Sequence, residues 1–276
     1  MVLIPAGSFT MGNTNGDSDI TDASSTNVYV SAFYMDKTPV TWSQWQSVYY
    51  WATSHGYSFT GTGQGKAAGH PAQDLYWYDC VKWCNARSEQ AGLTPVYYTD
   101  AAQTTVYRTG FITIANAWVK WTTNGYRLPT EAEWEKAARG GLSGQRFPWG
   151  NVITENLANY YGNTANCSYD LGPSGYNGVG TNVVGIPTSP VGSFAANGYG
   201  LFDMSGNVND WCWDWYSLPY AGGSDPHGPD SAIGYGRVYR GGDYYSSAPR
   251  ARCAYRGSQS PNEAASTVGF RCVRGL

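Results

Sequence analysis

The sequence lacks the features that mark several common classes of protein. It has no apolar run of 18 or more residues, so we expect no transmembrane helix. Its 17 basic and 20 acidic residues give a net charge of −3, which argues against a surface for nucleic acid or anionic membranes. Its six cysteines form no C-x-x-C pair, which argues against a zinc or thioredoxin-like motif.

Local signatures of nucleophilic or histidine-metal chemistry are also missing. The three histidines, His55, His70 and His227, are scattered and form no metal-binding cluster. No G-x-S-x-G elbow is present, although a Ser-His-Asp triad can assemble through space. The residues therefore favour no particular hydrolytic mechanism.

The composition instead predicts a loop-rich chain with aromatic packing. It contains 35 glycines, 23 tyrosines and 12 tryptophans, and charged residues make up only 13%. Without a linker or a repeat of 20–50 residues, residues 1–276 are predicted to form a single domain. Because a strand pattern follows Met1 at once, we expect an upstream signal or lipid anchor to have preceded it. The residues do not determine the cellular compartment. The strand pattern directly after Met1 favours an extracytoplasmic or cell-surface location.

Three helices are predicted, within a chain of otherwise short strands and long connections. "TPVTWSQWQSVYYWA" starts with a capping box of Thr41 and Gln44, and "RLPTEAEWEKAARGG" with one of Thr130 and Glu133. "DLYWYDCVKWCNARSEQAG" is the other helix and ends at Gly92. Long connections of this kind need to be held by metal ions, disulfides or aromatic packing.

An oxygen-rich loop is the strongest local candidate for a metal site. Within "NGYGLFDMSGNVNDWCWDW", the side chains of Asp203, Asn207, Asn209 and Asp210 lie close together, and Gly206 permits a tight turn. Hard oxygen ligands suit Ca²⁺. The alternative is a turn satisfied by its own backbone, and the local residues leave both open.

The C-terminal tail combines arginines with small polar segments. Five arginines could pair with acids or stack on aromatic rings, most simply as braces for loops. Between them, residues 243–247 and 258–267 have the tyrosine- and serine-rich composition of binding surfaces such as antibody paratopes. These arginines are Arg240, Arg250, Arg252, Arg256 and Arg271.

Seven motifs in order along nearly the whole chain resemble the formylglycine-generating enzyme, or sulfatase-modifying factor, family. They are "IPAGSFTMG", "TPVTWSQW", "RLPTEAEWEKAARGG", "FPWGN", "NGYGLFDMSGNVNDW", "YRGGDYY" and "GFRCVR". The resemblance implies an α+β variant of the C-type-lectin fold, with little regular secondary structure and structural Ca²⁺.

The resemblance also implies two sets of calcium ligands. The first consists of the side chains of Asp203 and Asp210 with the backbone carbonyls of Gly206 and Val208. The second includes the Asn159 side chain and the Tyr160 carbonyl, with its remaining ligands in 170–186. Asn209 departs from the family, which usually has tryptophan there.

The catalytic features of the family are poorly matched. Its oxidases bind copper through two cysteines shortly after an "RGGS" turn and use O₂ to convert a substrate cysteine to formylglycine. Here the turn is "RGGDYYSS", the first cysteine position falls at or near Ser246, and the second is absent. Serine is a poor ligand for Cu(I), which prefers thiolate, so we expect no copper.

The cysteines are interpreted partly through the same resemblance. Six cysteines allow 15 full pairings, and six buried thiols in a cytosolic protein are the alternative. The resemblance implies a Cys84–Cys272 disulfide and a structural role for Cys253. The usual partner position of Cys253 falls at Ala138, so Cys253 would pair with Cys80 or Cys212 or stay free.

The leading hypothesis is a non-catalytic binding protein, most simply a monomer, whose ligand is an unknown protein or small molecule. Some relatives of the family are variable proteins of diversity-generating retroelements, which vary surface residues near a C-terminal "GFR". The alternatives are an oxidase that converts a sulfatase cysteine to formylglycine, or another enzyme of the same fold with other ligands, and a calcium-dependent lectin. The predicted binding surface comprises Asp243, Tyr244, Tyr245, Ser246, Ser247, Ser258, Gln259, Asn262 and Glu263.

Overall fold

The computed structural model describes residues 1–178 and 187–276, and shows short elements joined by long connections. Three α-helices and thirteen β-strands lie within these ranges, as expected for an α+β, loop-rich chain. The helices are α1 (Trp42–Thr53), α2 (Trp77–Gln90) and α3 (Glu131–Arg139). The strands are β1 (Val2–Ile4), β2 (Gly7–Met11), β3 (Thr26–Val30), β4 (Phe33–Met35), β5 (Tyr126–Arg127), β6 (Tyr161–Gly162), β7 (Gly175–Tyr176), β8 (Asn209–Trp215), β9 (Gly223–Ser224), β10 (Arg237–Arg240), β11 (Gly257–Gln259), β12 (Val268–Gly269) and β13 (Val273–Arg274).

Two helices begin with the capping boxes that the sequence predicts. The hydroxyl of Thr41 accepts a hydrogen bond from the N–H of Gln44, whose side chain accepts from the N–H of Thr41. Thr130 and Glu133 make the same reciprocal pair at α3. The start of α3 is therefore fixed by its local sequence. Among the described residues, no helix is both long and apolar enough to cross a lipid bilayer.

The strands form four small sheets, with β8 at the centre of the one that carries the candidate site. The sheet orders are β1-β4-β13-β5, β11-β10-β8-β12, β2-β3-β9 and β6-β7. All seven residues of β8 are buried. Since alternate residues of a strand face opposite sides, Trp211 and Trp213 pack into one core cluster and Cys212 into another.

Aromatic side chains fill the cluster against α1 and α2. The rings of Trp45 and Trp83 stack with their centroids 5.9 Å apart, and Phe270 packs edge-on against both. A second cluster lies between α3 and strands β1 to β4, and a third, smaller one surrounds Phe147. The loops therefore rest on three clusters of aromatic and aliphatic side chains.

Buried ion pairs tie the tail to distant segments, as the bracing interpretation predicts. Arg240 binds Glu131 at 2.7 Å and Glu135 at 2.5 Å, both on α3. Arg256 also binds Glu131, at 2.6 Å, and Arg252 binds Asp17 and Asp19 in the loop after β2. Arg271 binds Asp210. These pairs hold the loops around the candidate site in fixed positions.

Candidate functional site

A polar pocket of about 170 Å³ opens at one edge of the β11-β10-β8-β12 sheet. Its walls come from strands β8, β10, β11 and β12 and from the loop that follows β10. Because these segments lie far apart in sequence, only the sheet brings their side chains together. The lining residues are Asn209, Tyr239, Asp243, Tyr245, Ser246, Arg250, Gln259, Thr267 and Val268.

Two glycines allow the chain to turn sharply into this pocket. Gly241 and Gly242 have φ values of 100° and 71°, in the region that favours glycine. A Cβ on Gly242 would lie 2.9 Å from the carbonyl oxygen of Arg250, so the turn packs directly against the segment that closes the loop. The "GG" of the motif is therefore required by the shape of the loop.

Asp243 is the organising group at the floor of the pocket. Its Oδ2 accepts hydrogen bonds from Asn209 Nδ2 at 2.6 Å and from the hydroxyl of Ser246 at 2.9 Å. Its Oδ1 accepts from the N–H of Tyr245 at 2.7 Å. Burial raises the pKa of Asp243, and these hydrogen bonds oppose that rise. No sequence pattern indicates that Asn209 supports this carboxylate, because the two residues lie 34 positions apart.

Tyrosines form the rim on one side of the pocket. The side chain of Tyr245 is 66% exposed, and its ring lies 5.8 Å from that of Tyr176, which in turn contacts Tyr161 at 5.0 Å. Tyr161 and Tyr176 lie on the β6-β7 ribbon. This ribbon is attached to the loop after β10 by a hydrogen bond from the N–H of Tyr161 to the Ser246 carbonyl. Tyr161 and Tyr176 were not among the predicted surface residues, because no local pattern links them to a loop some 70 residues later.

The nine residues of the predicted binding surface divide by exposure. Tyr245, Asn262 and Glu263 are exposed, whereas Ser247, Ser258 and Gln259 are partly exposed. Asp243, Tyr244 and Ser246 are buried and do not belong to an exposed surface. Asp243 and Ser246 instead form the pocket floor, and Tyr244 packs inward with its hydroxyl 3.4 Å from the Ser266 carbonyl.

Arg250 differs from the other tail arginines because its side chain is exposed and lines the pocket. Within residues 1–178 and 187–276, no carboxylate lies at ion-pair distance from its guanidinium. The pocket thus combines an available cation, a buried carboxylate, amides, hydroxyls and tyrosine rings. Such a set can hold a polar ligand by hydrogen bonds and ring contacts.

None of the three histidines lines this pocket. His55 stacks on Trp51 and His227 on Trp121, while His70 contacts Thr188 at 3.0 Å. Ser246 therefore has Asp243, and no imidazole, as its hydrogen-bond partner. A Ser-His-Asp triad is not assembled at this pocket in the described part of the chain.

The cysteines lie away from the pocket. Cys84 and Cys272 face each other in the core as thiols, with their Sγ atoms 3.6 Å apart. Their positions suit the expected disulfide, and the covalent bond itself stays a prediction. Cys253 is a buried thiol in the cluster that also contains Cys212 and Ala138. Burial raises the pKa of Cys253 to about 12.

The first predicted calcium loop contains two buried carboxylate oxygens without a hydrogen-bond partner among the described residues, Oδ1 of Asp203 and Oδ1 of Asp210. Burial first, and then the nearby charge of Asp210, raise the pKa of Asp203 to about 6, although Gly192 and Arg271 oppose the rise. Asp210 Oδ2 is already bound by Arg271 and Trp134. The two free oxygens are the donor type that Ca²⁺ prefers, so the residues fit the ion.

The second predicted calcium segment packs directly against the first. The carbonyl of Asn159 accepts the N–H of Asn207 at 2.7 Å, and a Cβ on Gly206 would lie 2.3 Å from the same oxygen. The hydroxyl of Tyr160 donates to Asp170 at 2.5 Å. Of the expected further ligands in 170–186, residues 179–186 lie outside the described residues. Among residues 1–178 and 187–276, the predicted calcium loops included, no three His, Cys, Asp or Glu side chains cluster as metal ligands would, so backbone carbonyls or amide side chains would have to complete the coordination of an ion.

Comparison with known proteins identifies the architecture around this pocket. A model of the sulfatase-modifying factor enzyme 1-like domain matches residues 1–276. The chain is 34% identical to the formylglycine-generating enzyme of Thermomonospora curvata, covering 99% of this chain and 92% of that protein. It is 32% identical to the chaperone protein LppX of Paenibacillus barcinonensis, covering 99% and 89%.

A solved structure, Treponema denticola variable protein 1, superimposes with a TM-score of 0.75 at 28% identity, covering 100% of this chain and 95% of that one. The expected formylglycine-generating-enzyme-like, C-type-lectin-type fold is thereby confirmed. The chain belongs to the sulfatase-modifying factor enzyme 1-like family.

Proposed function

We propose that this protein is a non-catalytic binding protein that takes a protein or small-molecule ligand at the polar pocket and its tyrosine rim. The observation that carries the proposal is the lining of the pocket. Ser246 stands at or near the position where the family resemblance places a copper-binding cysteine, and none of the described residues that line the pocket is a cysteine. Serine replaces the thiolate that Cu(I) prefers.

The chemistry of the pocket suits recognition. Tyr245 offers a large exposed ring that has few rotatable bonds, so little conformational entropy is lost when it is covered. Arg250 and Gln259 offer charge and hydrogen bonds at the wall. Asp243 already accepts three hydrogen bonds from within the protein, which favours a structural role for that carboxylate.

The relatives support a scaffold that carries more than one function. One is named a chaperone, one a formylglycine-generating enzyme and one a variable protein. Retroelement diversification of the loops around residues 243–247 and 258–267 is part of the proposal. A reverse-transcriptase gene beside a near-copy of the 3′ end that differs at adenines would support it, and a sulfatase gene in that place would contradict it.

The second candidate is an enzyme of the same fold, such as a copper-dependent oxidase. It is favoured by the identity to a formylglycine-generating enzyme and by the convergence of Asp243, Ser246 and Asn209 in one pocket. An oxidase would have to hold copper with oxygen and nitrogen donors, since none of the described residues that line the pocket carries sulfur. Copper-dependent O₂ uptake with a cysteine-containing peptide would establish this candidate and overturn the first.

Binding is tested with peptides selected from a displayed library on the wild-type protein. We expect Tyr245→Ala and Arg250→Ala each to weaken the selected peptides by about tenfold or more, as for an interface hot spot. Tyr50→Ala is the matched control, because Tyr50 is 65% exposed on α1 and does not line the pocket. Equal effects of all three variants would contradict the assignment of the pocket.

We further propose that Ca²⁺ binds the Asp203–Asp210 loop and joins it to the segment around Asn159. The unpaired oxygens of Asp203 and Asp210 support this ion, which would hold the two segments together. After treatment with a chelator, added Ca²⁺ should stabilise the protein by about 2.7 kcal/mol at 100 times its Kd. Asp203→Asn should abolish that gain in thermal unfolding. An equal gain with Mg²⁺, or none with Ca²⁺, would contradict the site.

A further inference from the structure

The charge of Arg250 is the one unmet charge among the residues that line the polar pocket. Its side chain is exposed, and among the described residues its guanidinium has neither an ion-pair nor a hydrogen-bond partner. The four buried arginines of the tail, by contrast, all bind carboxylates. A guanidinium has five N–H donors and no acceptor. A ligand that lies beside Arg250 is therefore expected to bring acceptor atoms.

The backbone that carries Arg250 is held in place. Arg250 lies in a short 3₁₀-helix, Ala248–Ala251, where its N–H donates to the carbonyl of Ser247 at 2.9 Å. The hydroxyl of Ser205 donates to the carbonyl of Ala251 at 2.7 Å. The guanidinium is thus presented from a fixed point, which reduces the entropy lost when a ligand binds.

Tyr239 and Gln259 lie beside Asn209 on one face of the sheet. Tyr239 pairs with Trp211 on β8 and with Gly257 on β11. Asn209 is two residues before Trp211 and Gln259 two residues after Gly257, so the three side chains point to the same side. A Cβ on Gly257 would lie 2.1 Å from the ring of Tyr239, so this glycine leaves room for the ring. Strand register therefore brings these groups to one wall.

This wall has hydrogen-bond donors to spare. The hydroxyls of Tyr239 and Thr267 and the amide of Gln259 have no hydrogen-bond partner in the described part of the chain. Each of them can donate to an acceptor on a ligand. Burial raises the pKa of Tyr239, and the charge of Arg250 opposes that rise, although Asp243 adds to it. The guanidinium is thus near enough for its charge to act on the phenol.

Asp243 is the only carboxylate among the described residues that line the pocket, and it lies at the floor. It is 6% exposed and accepts three hydrogen bonds from within the protein. Arg250 is open to solvent and has no such compensation. The unmet charge is therefore positive and lies at the wall, which favours an anionic group there.

The size of the pocket favours a part of a larger partner over a whole small molecule. Its volume of about 170 Å³ is below the range of about 300–1,000 Å³ that is usual for small-molecule sites. It is large enough for one side chain or a chain end. The exposed rings of Tyr245 and Tyr176 extend the contact surface beyond the pocket.

We propose that the ligand of the polar pocket is a peptide segment of a partner protein that presents a carboxylate, either from an acidic side chain or from a chain end. The carboxylate pairs with Arg250 and accepts a hydrogen bond from Tyr239, while Tyr245 packs against the neighbouring residues of the segment. This inference rests on the proposed binding function and names the class of its ligand.

Peptides selected on the wild-type protein from a random library displayed with free C-termini test the proposal. Each is synthesised unchanged, with Asn and Gln in place of its Asp and Glu, and with an amidated C-terminus. We expect one of the two changes to weaken binding by about tenfold or more, because a charge-assisted hydrogen bond is lost. Loss with the first change identifies a side chain, and loss with the second a chain end. Equal affinity of all three forms would overturn the carboxylate and leave the binding function standing, whereas failure to select any peptide would overturn both.

Variants of the protein locate the contact. Arg250→Glu should weaken the unchanged peptide by about tenfold or more and remove its advantage over the uncharged form. Lys37→Glu is the matched control, because Lys37 is exposed, lies outside the pocket and changes the net charge equally. Tyr239→Phe removes only the hydroxyl, so several-fold weaker binding is expected with an unchanged unfolding temperature. Unchanged affinity in Arg250→Glu or Tyr239→Phe, or an equal loss in Lys37→Glu, would overturn the proposal.

Discussion

At the scale of single residues, side chains of one type take different roles according to their neighbours. Arg240, Arg252, Arg256 and Arg271 are buried and ion-paired, whereas Arg250 is exposed at a pocket wall. All five looked alike in the tail sequence. Burial of a guanidinium requires a partner, and only the fold shows that Arg250 has no carboxylate partner among the described residues.

Asn209 is expected to stabilise the pocket through Asp243. Asn209→Ala removes the 2.6 Å hydrogen bond to a buried carboxylate, so we expect a loss of about 1–3 kcal/mol in the free energy of unfolding. Denaturant unfolding measures it. Tyr245→Ala, at an exposed side chain, should change stability by no more than about 0.5–1 kcal/mol. A smaller effect at Asn209 than at Tyr245 would contradict the role of Asn209.

At the scale of elements, α3 links the candidate site to the rest of the molecule. The carboxylate of its first residue, Glu131, forms ion pairs with Arg240 and Arg256. The backbone N–H of Glu131 donates a hydrogen bond to Asp214 on β8 at 2.7 Å. Lys136, five residues further along α3, reaches β2 and β3. One short helix therefore positions the tail arginines and also holds β2 and β3.

Asp214 gives α3 a measurable pH dependence. Burial first, and then the charge of Glu131, raise the pKa of Asp214 from 3.8 to about 7. Between these values the folded state binds more protons than the unfolded state, so this group lowers the free energy of unfolding as pH rises from about 4 to 7. The slope is at most about 1.4 kcal/mol per pH unit.

We therefore expect Asp214→Asn to gain stability relative to the wild type as pH rises through this interval. An asparagine can still accept the N–H of Glu131 but carries no charge at any pH. Urea unfolding at pH 4, 5, 6 and 7 measures the difference between the two proteins. Parallel stability curves would show that Asp214 does not titrate with a raised pKa in the folded state.

At the scale of the whole molecule, contacts between distant segments hold a chain that has little regular structure. Asp17 and Asp19 bind Arg252, more than 230 residues away in sequence. Cys84 on α2 lies against Cys272, 188 residues later. Connections this long can stay ordered because buried pairs and aromatic clusters fix them at many points.

The Cys84–Cys272 pair should form a disulfide when the protein is oxidised. A bond that closes so long a loop restricts the unfolded chain, and we expect about 2–4 kcal/mol of stabilisation. Peptide mapping by mass spectrometry identifies the bond, and reductant should lower the unfolding temperature of the wild type but not of Cys84→Ala. Cys253→Ala should keep that sensitivity. Six alkylated thiols after oxidation would contradict the pairing.

The sequence by itself determined the helices and the family. The capping boxes at Thr41 and Thr130 lie within four residues, so local hydrogen bonding fixes them. The ordered motifs likewise identify the fold without any three-dimensional information. The helix starts and the fold, which local motifs specify, are therefore the features in which structure and sequence agree.

Only the tertiary structure decided the composition of the pocket. Asn209, Tyr176 and Asp243 come from separate segments that meet because sheet pairing and the β6-β7 ribbon bring them to one edge. Neighbouring residues such as Tyr244 and Tyr245 were indistinguishable in sequence, yet one is buried and the other exposed. The physical reason is that burial depends on the direction of a side chain within the packed molecule, which a loop sequence without periodicity does not encode.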